Sequence, residues 1–237
     1  MTNDTSKTNA PRTNASTTAE RRPQWLELIV ALVSAVLIYG AGIVLLGIFP
    51  APTPALEGVA GLFFSGAAPI LVFTIVVLVR MRDLSAFGVR RVEPRWLLIA
   101  VLLAAACFAV ILTFDTVVQH LFPGVDDSQD TLRAAASGGV LALIGTIFFG
   151  AVLTPLGEEL VFRGILTRFF ERWGSWAAIV LSALIFAVFH GINLVLPSAL
   201  LVGLVNGWLM VRTKSVWPGV VVHIVYNSAF LILYSFG

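Results

Sequence analysis

The sequence predicts an all-α protein, a polytopic bundle of about seven transmembrane helices with its N-terminus inside. Three observations carry that prediction. Of 237 residues, 58% are hydrophobic and only 12% are charged, about half the roughly 25% charged share of soluble domains. The apolar residues fall into runs close to the about 20 residues that a helix needs to cross a bilayer. Basic residues gather in alternate loops, as the positive-inside rule requires. A net charge of +2 is too small to point to nucleic acid. Membrane lipids and a peptide or protein substrate at the membrane are the expected partners, and a multi-pass position in the cell membrane is the expected location.

Taken in order, residues 1–25 form a polar tail rich in Thr, Asn, Ser and Ala. It cannot bury enough apolar surface to offset its ordering entropy, so disorder is expected. The run behind it is too long for the apolar core of a signal peptide and lacks a small-residue cleavage site, so it reads as a retained span. The transmembrane domain is expected over 26–237, with spans at 26–49, 58–79, 96–119, 138–172, 176–196, 197–211 and 216–235. Arg21 and Arg22, then Arg80 to Arg95, then Arg168 and Arg172, then Arg212 and Lys214 occupy every second connection. The other connections hold Pro50 to Glu57 and the acidic stretch of Asp126, Asp127 and Asp130. Trp25, Trp96, Trp173, Trp176 and Trp217 fall beside the basic borders, where interfacial aromatics belong. The single cysteine, Cys107, reads as a small buried hydrophobe.

Glu158-Glu159-x-x-x-Arg163 interrupts the fourth run. A charged side chain at the centre of a membrane helix costs roughly 2.5–3.5 kcal/mol even on lenient scales, so such a cluster is a functional-site hypothesis. The bland alternative is a self-neutralising structural cluster near the end of a span. Two more polar insertions follow, Phe186-x-x-x-His190 and His223-x-x-x-Asn227. At 1.5 Å per residue, Glu158 lies about 21 Å from Arg172, and His190 about 21 Å from Trp176. His223 and Asn227 lie about 13 Å and 19 Å beyond Lys214. Glu159 and Arg163 are four apart, in the favourable acid-before-base order, so they are expected to neutralise each other. Glu158, about 100° round the helix, is then left for the histidines. Gly157 and Gly164 permit close helix approach, and Pro155 predicts a kink. His190, or His223 with Asn227, have the bland alternative of interhelical hydrogen bonding. Asn206 reads as interhelical glue, Asn193 as a helix-end residue, and Asp115 and His120 as interfacial.

A carboxylate with a histidine can deprotonate a water. A second histidine with an asparagine can donate to a developing oxyanion. Alternatively Glu158, His190 and His223 can ligate a divalent metal such as Zn²⁺ with a water position left open. The His-Glu-x-x-His signature is absent, so metal-free and metal-assisted activation both stand.

The ordered set Glu158-Glu159-Leu-Val-Phe-Arg163-Gly164, Phe186-x-x-x-His190, Trp217-Pro218 and His223-x-x-x-Asn227 resembles the CAAX prenyl protease and bacteriocin-processing family (CPBP, or Abi) across residues 138–235. The resemblance implies a helical membrane enzyme that hydrolyses peptides within the bilayer. It implies a water-activating pair of Glu158 and His190 and an oxyanion pair of His223 and Asn227, and the four-residue spacing of Glu159 and Arg163 makes them the supporting ion pair. The family is described both as metalloprotease and as glutamate-dependent, which leaves the metal open. Two other functions compete. A non-catalytic scaffold or bacteriocin-immunity protein would use the same pocket for binding. A proton-coupled transporter would show inverted repeats, and the sequence shows none.

Overall fold

The computed structural model describes residues 21–122 and 130–236, and among these the regular structure is all helical, with no strand. Seven apolar helices form the bundle: α1 (Trp25–Ile48), α2 (Pro54–Val79), α3 (Pro94–Leu121), α5 (Val140–Trp173), α6 (Ser175–Phe189), α7 (Val195–Thr213) and α8 (Trp217–Phe236). A short α4 (Asp130–Ser137) precedes α5. Five of the helices (α1, α2, α3, α5 and α7) are long and apolar enough to span a bilayer, while α6 and α8 are shorter apolar helices. The helical bundle is therefore present, with five helices of spanning length where seven spans are expected, and the chain is a multi-pass membrane protein. Residues 1–20 of the expected disordered tail, and Asp126 and Asp127, lie outside the described residues.

Local chemistry sets the helix ends. Pro54 and Pro94 open α2 and α3, where the missing N–H is an orphan in any case. Thr53 Oγ1 accepts the Leu56 N–H at 3.3 Å. α4 lies in a stretch read as loop, because the Thr-Leu-Arg-Ala-Ala-Ala sequence after Asp130 has strong helix formers behind an acidic first residue.

The largest departure from the sequence reading concerns α6. The run 176–196 was expected to cross as one helix, yet α6 stops at Phe189 and α7 starts at Val195. Gly191, at φ +88°, takes a left-handed turn that a residue with a side chain resists. Asn193 then stitches the break, its Nδ2 donating to His190 O at 3.1 Å and its Oδ1 accepting the Val195 N–H at 2.8 Å. The helix-end role expected of Asn193 is the one it fills. Fifteen residues make α6 about 22 Å long, shorter than a hydrocarbon core of about 30 Å.

α3 packs on α7 and α8, α6 packs on α7, and α2 packs on α1, α4 and α5. The α2–α5 crossing is close. A Cβ on Gly157 would sit 2.6 Å from Gly66 O, and one on Gly66 would sit 2.8 Å from the Leu153 backbone. Small residues that let backbones touch are how helices associate where lipid removes the hydrophobic drive. α1 is peripheral: Leu32, Val36, Leu37 and Ile43 are all more than half exposed, as suits a lipid-facing helix.

The basic connections meet at one end of the bundle. Glu171 there receives Arg168 Nη1 at 2.6 Å and Lys214 Nζ at 2.8 Å, with Arg22 Nε at 3.7 Å. Arg90 Nε donates to Lys214 O at 2.7 Å, and Arg168 Nε to Ala86 O at 3.2 Å. Arg172 lies 3.9 Å over the Phe169 ring and donates to Pro23 O at 3.0 Å. Trp25 stacks edge-on against Phe169 and Trp173, so part of the expected aromatic border is a cluster closing this end.

Candidate active site

α5 is not a regular α-helix. It widens to π geometry over Ile147–Leu153 and again over Leu160–Thr167, with one α-helical turn, Thr154–Glu159, between them. Short π segments frequently accompany functional sites. Pro155 gives a physical account of the first one. Thr154 N–H bonds to Phe149 O, five residues back. The next rung in that register would join Pro155 to Gly150 O, and proline has no N–H to offer. Asn227 Nδ2 on α8 takes that carbonyl instead, at 3.1 Å. The kink expected at Pro155 is thus a widened turn whose orphan carbonyl fixes the Asn227 carboxamide, leaving that group a second N–H.

The α-helical turn presents the two glutamates differently. Glu159 is fully buried. Its Oε2 accepts Arg163 Nε at 2.9 Å, and its Oε1 accepts Asn206 Nδ2 at 2.9 Å and faces His223 Nδ1 at 3.2 Å. The ion pair foreseen from the four-residue spacing is present. Arg163, also fully buried, reaches Ser182 Oγ at 3.4 Å and lies 5.0 Å over the Phe186 ring. Ser182 in turn accepts Thr167 Oγ1 at 2.9 Å and donates to Ile179 O at 3.3 Å. Glu158 keeps some exposure. His190 Nε2 lies 4.0 Å from its Oε1, and His223 Nε2 lies 3.7 Å from its Oε2. That Oε2 is buried and makes no hydrogen bond among the described residues.

The histidines are held in defined tautomers. His190 Nδ1 lies 2.9 Å from Phe186 O; a carbonyl only accepts, so Nδ1 carries the proton and Nε2 turns to Glu158. Phe186 is one turn before His190 at the end of α6, where helix carbonyls lack intrahelical donors. His223 Nδ1 faces the Glu159 carboxylate, so it too is the protonated nitrogen, and Nε2 turns to Glu158. The sequence reading divided labour cleanly between the glutamates. In the structure one imidazole bridges both of them.

The depth arithmetic put Glu158 and His190 level, and they meet. It put His223 about 8 Å nearer the basic end than Glu158, yet their side chains are 3.7 Å apart. The helices start at different heights, and widened turns shorten α5. Two contributors escaped notice. Asn206, read as glue, also braces Glu159 and donates to Gly219 O at 3.2 Å; a lone amide in an apolar helix was its signal. A Cβ on Gly219 would sit 2.8 Å from Glu159 Oε2, so this glycine makes room for the carboxylate. Nothing in the sequence alone marks it.

Glu158, His190, His223 and Asn227 all line one cavity of about 1450 Å³. Apolar side chains surround them, including Leu28 and Leu32 of α1, Ile165 and Phe170 of α5, and Phe189 of α6. Of the adjacent pairs Phe148-Phe149 and Phe169-Phe170, only Phe170 is among the residues that line the cavity. His120 is exposed at the end of α3, whereas Asp115 lines the cavity. As to a metal, no group of three His, Cys, Asp or Glu side chains among the described residues is arranged to hold an ion.

What this arrangement supplies is a partly accessible carboxylate between two imidazole Nε2 atoms, with a carboxamide in the same cavity wall, inside an apolar chamber. No curated protein and no solved structure matches the chain. The model of one family does match, described as type II CAAX prenyl endopeptidase Rce1-like, over residues 139–229. That stretch contains Glu158, Glu159, Arg163, His190, His223 and Asn227, and it agrees with the resemblance read from the motifs. Over residues 139–229 this multi-pass membrane protein is therefore similar to the Rce1-like endopeptidases.

Proposed function

We propose that this protein is an intramembrane endopeptidase that cuts a membrane-presented peptide, with Glu158 and His190 activating the water. The observation that carries the reading is Glu158, whose carboxylate lies between the Nε2 atoms of His190 and His223 in the cavity wall. A water held by Glu158 and His190 Nε2 gives up a proton to the carboxylate as its oxygen attacks the peptide carbonyl carbon. The tetrahedral oxyanion then receives hydrogen bonds from the free Asn227 N–H and from His223 when its Nε2 is protonated. Glu158 returns its proton to the amide nitrogen, the C–N bond breaks to give a carboxylic acid and an amine, and the acid's proton passes to the amine, so a carboxylate and an ammonium leave. Glu159, itself paired with Arg163, holds the His223 Nδ1–H, so a proton taken up at Nε2 makes the imidazolium that donates to the oxyanion. The apolar lining fits a substrate that is lipidated or otherwise hydrophobic near the cut.

The test is incubation of the purified protein in lipid nanodiscs with hydrophobic and lipidated peptides, products being read by mass spectrometry. Glu158→Gln is expected to lower kcat by about 10²–10⁴, the usual worth of a general base, with the thermal midpoint held. Full cleavage by a folded Glu158→Gln protein sinks the proposal. Peptide binding without cleavage by the wild type would make the chain a scaffold or immunity protein. Metal content, and activity before and after chelation, decide whether a divalent ion such as Zn²⁺ takes part.

A further inference from the structure

α1 lends the cavity Leu28, Ala31, Leu32, Ala35 and Tyr39. Their spacing puts them on one helix face, and Tyr39 alone of them carries a polar side-chain atom. It is 37% exposed, and its hydroxyl makes no hydrogen bond among the described residues. The interfacial belt, where membrane tyrosines commonly sit, does not account for it. Nine helical residues follow it to Ile48, about 13 Å of helix.

A contact at the basic end fixes its height. Arg172 of α5 lies 5.6 Å from the Trp25 ring of α1, and the two helices run in opposite directions from there. Tyr39 is fourteen residues past Trp25, and Glu158 fourteen before Arg172, about 21 Å along each helix. Between these levels, Ala31 and Ala35 of α1 pack in one cluster with Val161 and Ile165 of α5. Tyr39 therefore comes out level with Glu158, and the two are near enough to interact electrostatically. The ring is braced as well. It stands edge-on to Phe64 of α2 at 5.4 Å. Phe64 fills the space that Gly42 leaves on α1, where a Cβ would overlap its ring.

α1 packs on α2 and α5, whereas α8 packs on α3, α7 and α5. The cavity thus carries Tyr39 in one wall and His223 with Asn227 in another. Along an extended peptide, successive carbonyls point to opposite sides. A peptide whose scissile carbonyl points at His223 and Asn227 turns the neighbouring carbonyl away from α8. We propose that the Tyr39 hydroxyl is a substrate-binding donor for the main-chain carbonyl next to the scissile one, aligning an extended peptide across Glu158. A neutral phenol donates without adding charge to an apolar chamber. Tyr39 lies outside residues 139–229, so the family likeness assigns it nothing. The role rests on the peptidase reading for its substrate, but binding is measured apart from cleavage, so the two fail separately.

Binding is read by anisotropy on the full chain carrying Glu158→Gln in nanodiscs. The probe is a fluorophore-labelled apolar decapeptide, either all-amide or with one amide at a time replaced by a trans-alkene. Adding Tyr39→Phe keeps the ring on Phe64 and removes only the hydroxyl. It is expected to weaken the all-amide peptide about 3–10-fold, as loss of one neutral hydrogen bond implies, with the thermal midpoint unchanged. One alkene position should cost less on Tyr39→Phe than on its parent by that same factor, the signature of a direct contact. With Glu158 intact, that position should adjoin the bond that is cut, and Tyr39→Phe should raise KM while kcat stays within about twofold. Equal affinity of the Tyr39→Phe and parent proteins for the all-amide peptide overturns the role. So do alkene costs that Tyr39→Phe leaves unchanged at every position. A fall in kcat at unchanged KM also overturns it, and moves the hydroxyl to the oxyanion or to Glu158. If the wild type cuts no peptide while one alkene position stays tied to Tyr39, the peptidase reading fails and the donor stands.

Discussion

α5 carries two carboxylate centres, Glu159 and Glu171, and they are built to different rules. Glu171 gathers three cations, Arg168, Lys214 and Arg22, at the basic end of the bundle. Glu159 gathers one cation, Arg163, one amide, Asn206, and one imidazole, His223. Two of those cations, Arg22 and Lys214, keep 37% and 32% of their side-chain surface exposed, so water screens part of the excess positive charge there. Inside the bundle, each additional charge would need its own desolvation offset, so neutral donors fill the remaining lone pairs. Both centres fasten α5 to α7 and α8 or to their connection. Only the inner one also touches a histidine that faces Glu158.

Glu159→Ala is expected to break the comparison most severely. It strands Arg163 without a counter-charge at 0% exposure, which costs about 3–5 kcal/mol for a buried pair, and it frees His223. Thermal unfolding should drop sharply and cleavage should vanish together. Glu171→Gln is the milder counterpart, costing about 1.5–3 kcal/mol through weakened charged hydrogen bonds. Its effect should shrink in 1 M salt and leave kcat nearly unchanged. Equal losses of activity from the two substitutions would erase the distinction. Pro155→Ala sharpens it by acting on geometry without touching charge. The restored N–H can claim Gly150 O from Asn227, so stability should hold or rise slightly. kcat should fall by up to about 10²-fold, the scale of a 1 Å misplacement. Unchanged kcat would mean that the Asn227–Gly150 contact positions nothing.

Much of this was legible in the sequence because the governing signals are local. Apolar run length gave the helices, and a four-residue spacing gave the Glu159–Arg163 pair. Polar residues where charge is costly marked His190, His223 and Asn227. What stayed hidden depends on geometry that spacing does not encode. Gly191 and Asn193 ended α6 early, although the run through Leu196 is apolar enough to continue. His223 contacts both glutamates because helices tilt and start at unequal heights. Gly219 matters for the volume it leaves beside Glu159. Asp115 lines the cavity alongside Arg133 of α4, a helix over 130–137 where the sequence reads as a connection.

The two widened stretches of α5 also bear on how its faces are counted. Each π turn takes up more residues per revolution than an α turn, so the chain's rotation lags through Ile147–Leu153 and again through Leu160–Thr167. A single helical wheel drawn through residues 140–173 loses phase twice. Glu158 and Glu159 sit in the one stretch between these lags that keeps ordinary α phase. Insertion or deletion of one residue within either lag would re-time every side chain beyond it, and would swing Arg163 or Gly150 out of register with partners on other helices while leaving the hydropathy profile almost unaltered.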